Sequence, residues 1–368
     1  MNRRHFLVTT AAAPAAFAQT AEKRVSTAVI GTGNRGSYLL TSILEQPNAR
    51  VAALCDTKPE RLDKAATAAA RHNPKTYSDW RRIVDSKDID AVFVATPPHL
   101  HSEMASAALR AGKHVYCEKP IGITVDQVKQ LVAAAKASKN VFMAGQQMRS
   151  HRQLGEAIRK IHEGIIGNLM MVRAHRFSSE DLDHNGASSD WFFDVSKSGG
   201  YLIEMSVHNL DLCNWIIGAH PSRAAGFGGI LRYKNDPPGR TIMDGGLITY
   251  DYPNGVKMAY ALGVFHPNGM PGGGQSVAVY GDKAAVDLLY TTNMSPLGER
   301  RPVPRPLAEK QEEPPHAHTT AFYECILNGS KNPADITIGA TAALTAILGH
   351  EAMTKERVVN WKDFGIQL

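Results

Sequence analysis

Cysteine is scarce in this chain, and what there is lies scattered. The 368 residues hold four cysteines: Cys55, Cys117, Cys213 and Cys325. None forms a C-x-x-C pair, which removes zinc knuckles and redox dithiols from consideration. Each reads as a small buried hydrophobe. An excess of one charge is also missing. Against 35 acidic residues stand 41 basic ones, a formal charge of +6, and no basic run is interleaved with aromatics. A nucleic-acid partner is therefore not expected. Beyond the N-terminus no stretch reaches the roughly 18 unbroken apolar residues of a membrane span, so no stable span is expected. Internal repeats and low-complexity tracts are absent as well.

What is present is ordinary globular material. Hydrophobic residues make up 43% and charged residues 21%, enough for a sizeable core. At roughly 100–200 residues per domain, the length suggests two domains. The N-terminus reads Arg3-Arg4-His5-Phe6-Leu7, then a short apolar stretch ending in Ala16-Phe17-Ala18. The small-x-small pattern fits a signal cleavage site, and the paired arginines resemble a twin-arginine export signal over residues 1–18. Such a signal implies a folded, exported, periplasmic protein. Without Arg3 and Arg4 the basic count is 41 − 2 = 39 against 35 acidic residues, or +4. An oxidising compartment leaves a disulfide open.

Between residues 24 and 148 short apolar runs alternate with helical patterns. Val25–Ile30, Val51–Leu54, Ala91–Ala95, His114–Cys117 and Val141–Ala144 read as strands. Alternation at this spacing implies an α/β fold with a doubly wound parallel sheet. From 149 to 368 the pattern changes. A helix over 153–163 is followed by longer alternating runs at 169–176, 224–233, 242–252, 256–264 and 276–280. Tyr252-Pro253-Asn254-Gly255 is a hairpin signal between two of them. These runs predict an open, mainly antiparallel sheet, covered by helices on one face. Pro296–Pro315 reads as a surface loop, and the chain ends in helices over 319–327 and 338–351.

Gly31-Thr32-Gly33-Asn34-Arg35-Gly36 follows the first strand and opens a helix. An acid, Asp56, ends the second strand. In that context the glycines mark a dinucleotide-binding Rossmann loop. Gly31 permits the tight turn, Gly33 lets backbone approach a pyrophosphate, and Gly36 lets helix pack on strand. The helix N-terminus favours the phosphate charge. Asp56 is placed to accept the ribose hydroxyls and to repel a 2′-phosphate. NAD is thus expected over NADP, with Arg35 and Lys58 close by to soften that preference. Thr96, Pro97 and His101 follow the β-strand ending at Ala95, and Glu118 and Lys119 follow the next, on the same carboxyl-end rim. They join the expected cofactor contacts, while His99 and His101 read equally well as surface loop histidines. Lys119 before Pro120 is also placed to stabilise an alkoxide.

Glu204, His208, Asp211 and Trp215 fall on one stripe of a glycine-led helix at 100° per residue. Charged groups on an otherwise apolar helix call for partners or a purpose. An imidazole between carboxylates suits a general base, with Glu204, His208 and Asp211 facing substrate; a satisfied internal network would produce the same stripe. Glu204 and His208 could share a metal at i and i+4, but no third ligand is evident, so no metal is expected.

The glycine loop, Thr96-Pro97, Glu118-Lys119-Pro120 and the helix from Gly199 to Trp215 together resemble the Gfo/Idh/MocA oxidoreductase family, over Val25 to the C-terminus. The resemblance implies an N-terminal Rossmann domain (24–148) and a C-terminal α/β domain (149–368) for substrate and oligomerisation, with pairing of copies through the exposed sheet face. It implies that Lys119 is the catalytic lysine and His208 the acid/base. Glu204 stands where the dehydrogenases of the family have aspartate. The substrate it implies is a small carbohydrate or polyol, oxidised or reduced at a secondary hydroxyl. Two alternatives stay open: a redox-neutral glycoside hydrolase using bound NAD, and a non-catalytic nucleotide-binding protein. Ser178–Asp194 and Phe265–Gly274 are the loops expected to shape the pocket.

Overall fold

The computed structural model describes residues 24–179, 189–289, 292–300 and 302–368. The signal-like segment 1–18 lies outside them, as do residues 180–188 of the first pocket loop. The first half runs β1 (Val25–Ile30), α1 (Asn34–Leu44), β2 (Ala49–Cys55), α2 (Pro59–Ala68), β3 (Lys75–Tyr77), α3 (Arg81–Val84), β4 (Ala91–Val94), α4 (His101–Arg110), β5 (His114–Cys117), α5 (Val125–Ala137) and β6 (Phe142–Ala144). The strands form one six-stranded parallel sheet in the order β3-β2-β1-β4-β5-β6. β4 is buried along its whole length, as expected where helices cover both faces of a parallel sheet. The strand order reverses between β1 and β4. The chain leaves these two strands in opposite directions, and a crevice opens at their carboxyl ends.

The second half contains α6 (Arg152–His162), β7 (Leu169–Phe177), α7 (Ser189–Phe192), α8 (Val195–Ser198), α9 (Tyr201–Glu204), α10 (Val207–Ile217), β8 (Arg223–Gly229), β9 (Gly245–Asp251), β10 (Lys257–Gly263), β11 (Gly274–Gly281), β12 (Ala284–Asp287), β13 (Asn293–Pro296), β14 (Arg305–Pro306), α11 (Ala317–Asn328), α12 (Ile336–Lys355) and β15 (Val359–Asn360). Nine strands make one sheet in the order β14-β13-β12-β11-β7-β10-β9-β8-β15. It is antiparallel except at β7 and β10, which pair in parallel. Alternation alone cannot distinguish these, because a parallel pair in a one-sided sheet alternates in the same way. Met258, Tyr260 and Leu262 of β10 point inward while Lys257 and Ala259 point out. α10 and α12 cover the inner face. α12 is long and apolar enough to cross a membrane, yet Ala343, Leu344, Ile347 and Leu348 are buried inside the protein. The outer face leaves Phe227 and Leu247, cross-strand partners, exposed.

Three expectations need correction here. The run 224–233 ends as a strand at Gly229. Beyond it the fully buried Asp244 carboxylate accepts the amides of Leu231, Arg232 and Tyr233 at 2.7, 3.0 and 2.7 Å, which turns the chain off the sheet. Pro296–Pro315 is more than a loop. It contributes β14 and buries Leu307 and Ala308. The glycine-led helix is not continuous: α9 stops at Glu204 and α10 starts at Val207.

Replacing Asp244 by Ala orphans all three amides. Charge-assisted backbone bonds are individually worth about 1.5–3 kcal/mol, and water can reclaim part of that at a loop. Urea unfolding of Asp244→Ala is expected to show a stability loss on the order of 2–4 kcal/mol with an unchanged m-value.

Candidate active site

The dinucleotide loop is built by close backbone approach. Gly31 has φ +89°, and a Cβ there would stand 2.6 Å from the Ala95 carbonyl oxygen. A Cβ on Gly36 would stand 1.8 Å from the carbonyl oxygen of Gly31. Only glycine therefore lets α1 start against β1 and β4. Asp56 braces the loop. One carboxylate oxygen accepts the Thr32 amide at 2.7 Å and the Thr32 hydroxyl at 3.1 Å. The other accepts the Lys58 amide at 2.9 Å.

Gly31, Asp56 and Lys58 line a cavity of about 730 Å³, whereas Thr32 and Gly36, expected at the cofactor, do not. Gly31, Gly33, Asn34, Arg35, Asp56, Thr96, Pro97, His101, Glu118, Lys119 and Glu204 all contribute to its wall. Two of them act differently from expectation. The His101 ring is buried, with Nδ1 2.7 Å from the Pro120 carbonyl and Nε2 2.7 Å from the Thr96 carbonyl. Burial lowers its pKa, so the neutral ring donates its one N–H to one of these carbonyls and rests its other nitrogen against the second, between the two turns. The Glu118 carboxylate is also buried. It accepts Arg35 Nε at 2.6 Å and the Lys119 amide at 3.1 Å. Arg35 in turn donates to Gln147. Arg35 thereby joins the glycine loop to the lysine turn and to the segment that leads into the second half.

Lys119 reaches across that junction. Its Nζ lies 2.8 Å from Glu204 Oε1 and 2.9 Å from the Glu204 carbonyl oxygen. The second carboxylate oxygen, Oε2, is buried without a protein partner, and so is Nδ1 of His208. Buried polar groups are almost always satisfied. The Glu204 orphan, on a carboxylate paired with the Lys119 ammonium at the cavity wall, therefore fits a polar ligand in the cleft. Burial holds the His208 pKa well below the ordinary 6.5, and the positive charges of Lys119, Arg176 and Arg35 push the same way. The ring is thus neutral. His208 itself is not among the cavity-lining residues, whereas Glu204 and Met205 of the same segment are.

Asp211 is not a substrate residue. It is buried, and both its oxygens take the Arg149 guanidinium, at 2.9 and 2.7 Å. That guanidinium also lies 4.8 Å from the centre of the Trp215 ring. The lower half of the predicted stripe, Asp211 and Trp215 on α10, is an internal network. Arg149 carried no signal in the sequence: it lies in an irregular linker far from its partner. Trp191, Phe192, His99 and Lys197 line the cleft as well, and His99 Nδ1 meets the Lys197 carbonyl at 3.3 Å. Among the described residues no three His, Cys, Asp or Glu side chains gather as metal ligands.

Residues 25–146 match the family model described as the oxidoreductase family with NAD-binding Rossmann fold. Residues 154–287 match the Gfo/Idh/MocA C-terminal domain. The chain belongs to the Gfo/Idh/MocA family. Among curated relatives it is similar to a levoglucosan dehydrogenase of Pseudarthrobacter phenanthrenivorans, 35% identical over 166 residues, covering 45% of this chain and 42% of that one. It is also similar to a glycosyl hydrolase family 109 protein of Stenotrophomonas maltophilia, 32% identical over 189 residues, covering 47% and 42%. The alignments thus span about half the length of the curated relatives, from 42% to 55% in these and a neighbouring case. The fold matches a levoglucosan dehydrogenase structure in complex with NADH and levoglucosan, with TM-score 0.78, 21% identity, and coverage of 92% of this chain and 99% of that one.

Because the folded-state pKa of His208 is lowered, the unfolded chain binds this proton first as pH falls. The contribution of His208 to stability is complete above about pH 6.5 and is lost as pH drops toward the folded value. A base held neutral also moves the acid limb of kcat/KM below pH 6.5. A pH–rate profile with an acid limb at or above that value argues against His208 as the base.

Proposed function

We propose that this chain oxidises or reduces a secondary hydroxyl of a sugar, polyol or glycoside, using a nicotinamide dinucleotide held in the cleft between β1 and β4. The observation that carries this reading is the Lys119 ammonium, fixed in the cleft wall by Glu204 beside a histidine kept neutral. The dinucleotide supplies the hydride acceptor when bound. Gly31, Gly33 and the first-turn amides of α1 would hold its pyrophosphate, and Asp56 its ribose. The Asp56 carboxylate favours NAD over NADP, since a 2′-phosphate there meets like charge.

The chain's own groups then divide the work on the alcohol. His208 accepts the hydroxyl proton at Nε2, because Nδ1 is enclosed. Lys119 stabilises the negative charge that grows on oxygen as the carbonyl forms. Glu204 holds Lys119 in place through Oε1.

A second reading is favoured by the family 109 relative and by the free Oε2 of Glu204. Once a sugar hydroxyl becomes a ketone, the neighbouring C–H is acidic. Glu204 Oε2 can take that proton as the glycosidic bond breaks and the aglycone leaves. Water then adds across the alkene, and reduction of the ketone restores the hydroxyl with no net redox change. One experiment covers both readings. Wild type and Lys119→Ala are assayed on a panel of polyols with NAD and on glycosides without added cofactor. NADH formation supports the first reading, and sugar release without NADH supports the second. Lys119→Ala is expected to lower either rate by roughly 10²- to 10⁴-fold. Full activity in that variant removes Lys119 from the mechanism.

We propose in addition that the twin-arginine-like N-terminus exports the folded chain with its dinucleotide already inside, since no nicotinamide pool is expected outside the cytoplasm. Protein recovered from the periplasm should then carry the absorbance and mass of a bound dinucleotide. Recovery of empty protein that binds NAD only weakly ends this proposal.

A further inference from the structure

The middle glycine of the loop is roofed by an arginine. A Cβ built on Gly33 would stand 3.2 Å from Arg61 Nη1 and 3.7 Å from Arg61 Cζ, so the guanidinium lies against the bare side of this residue. Gly33 is the N-cap of α1, and the amides of the turn that follows have no acceptor within the helix. Arg61 comes from the first turn of α2, the helix that follows Asp56, and it lines the same cavity. Two helix starts thus face one spot from opposite sides. One offers backbone amides and the positive end of a helix dipole, and the other offers a planar guanidinium on a long side chain.

We propose that Arg61 is a latch on the pyrophosphate of the dinucleotide, a role that rests on the cofactor reading above. The inner phosphate oxygens face the amides that start α1. The outer oxygens would otherwise face water across the mouth of the cleft, and Arg61 closes over them. The far end of the side chain lies against Gly33, so the latch requires the guanidinium to move aside for the phosphates and then pair with them. A guanidinium suits this role because its fork binds two phosphate oxygens at once, which a lysine cannot do. The expected site of contact is the pyrophosphate and not the 2′-position, because the arginine sits over Gly33, whereas Asp56, which braces the Thr32 and Lys58 amides, would hold the ribose end. NAD and NADP share the pyrophosphate, so the latch acts equally on both. It acts mainly on release, since it closes after the dinucleotide has entered.

The test compares wild type, Arg61→Met and Arg61→Lys by titration with NAD⁺, NADH and NADP⁺, and by stopped-flow displacement of protein-bound NADH. Arg61→Met is expected to weaken NAD⁺ and NADP⁺ by the same factor, roughly 10- to 100-fold, mostly through faster release. Arg61→Lys is expected to fall between the two, and the dinucleotide that co-purifies should decline in the same order. Arg61 is only half-buried, so the melting temperature of dinucleotide-free variants should stay within a few degrees of wild type. Equal affinity in wild type and Arg61→Met overturns the latch. A loss confined to NADP⁺ also overturns it, by placing Arg61 at the 2′-phosphate. A wild-type chain that binds no dinucleotide overturns the cofactor reading itself, which the same titration separates from failure of the latch alone.

Discussion

The ion pair between Lys119 and Glu204 joins two halves of the protein that fold from distant stretches of chain. Lys119 ends a strand of the parallel sheet, and Glu204 ends a short helix lying against the other sheet. Their 2.8 Å contact is largely removed from water, so each charge depends on the other. A buried pair of this kind adds little net stability, because desolvation offsets most of the attraction. What it does is fix one arrangement: an ammonium at the cleft wall, with one carboxylate oxygen to spare.

The neighbouring polar contacts serve that arrangement. Arg35 couples the glycine loop to Glu118, whose other oxygen holds the Lys119 amide. His101 sits between the Thr96 turn and the Pro120 turn. Arg149, just past the last strand of the first sheet, grips Asp211 one turn beyond His208. Three separate links therefore tie the dinucleotide loop, the lysine turn and the histidine helix into one frame. Their cost in desolvated charge is understandable if hydroxyl chemistry needs these groups placed to within a fraction of an ångström. Burial first, and the nearby positive charges of Lys119, Arg176 and Arg35 second, keep His208 neutral in this frame.

Much of this was legible in the residues. The parallel sheet followed from buried apolar runs alternating with amphipathic helices. The dinucleotide loop followed from glycines placed between a strand and a helix, with Asp56 ending the next strand. Lys119 stood out by its place at a strand end before Pro120, Glu204 and His208 by a charged stripe on an apolar helix, and the catalytic roles of Lys119 and His208 by the family resemblance. The stripe from Glu204 to Trp215 was half right. Periodicity assumes a continuous helix, whereas Glu204 ends α9 and His208 and Asp211 lie on α10; it also cannot show that Asp211 is paired with Arg149. His101 and Glu118 were placed at the cofactor rim by position alone. Position along a strand end does not reveal where a ring or carboxylate spends its hydrogen bonds.

The sequence by itself determined the local elements, the identity of the loop, and which ionisable groups stand at strand ends and helix starts. These depend on periodicity and on the backbone freedom of glycine, which act over a few neighbouring residues. Only the tertiary structure decided who pairs with whom: Lys119 with Glu204, Arg149 with Asp211, Arg61 over Gly33, and β7 in parallel beside β10. Those choices depend on packing between segments far apart in the chain. The free energy of a charge is set there by its burial and its partner, neither of which is written in the local pattern.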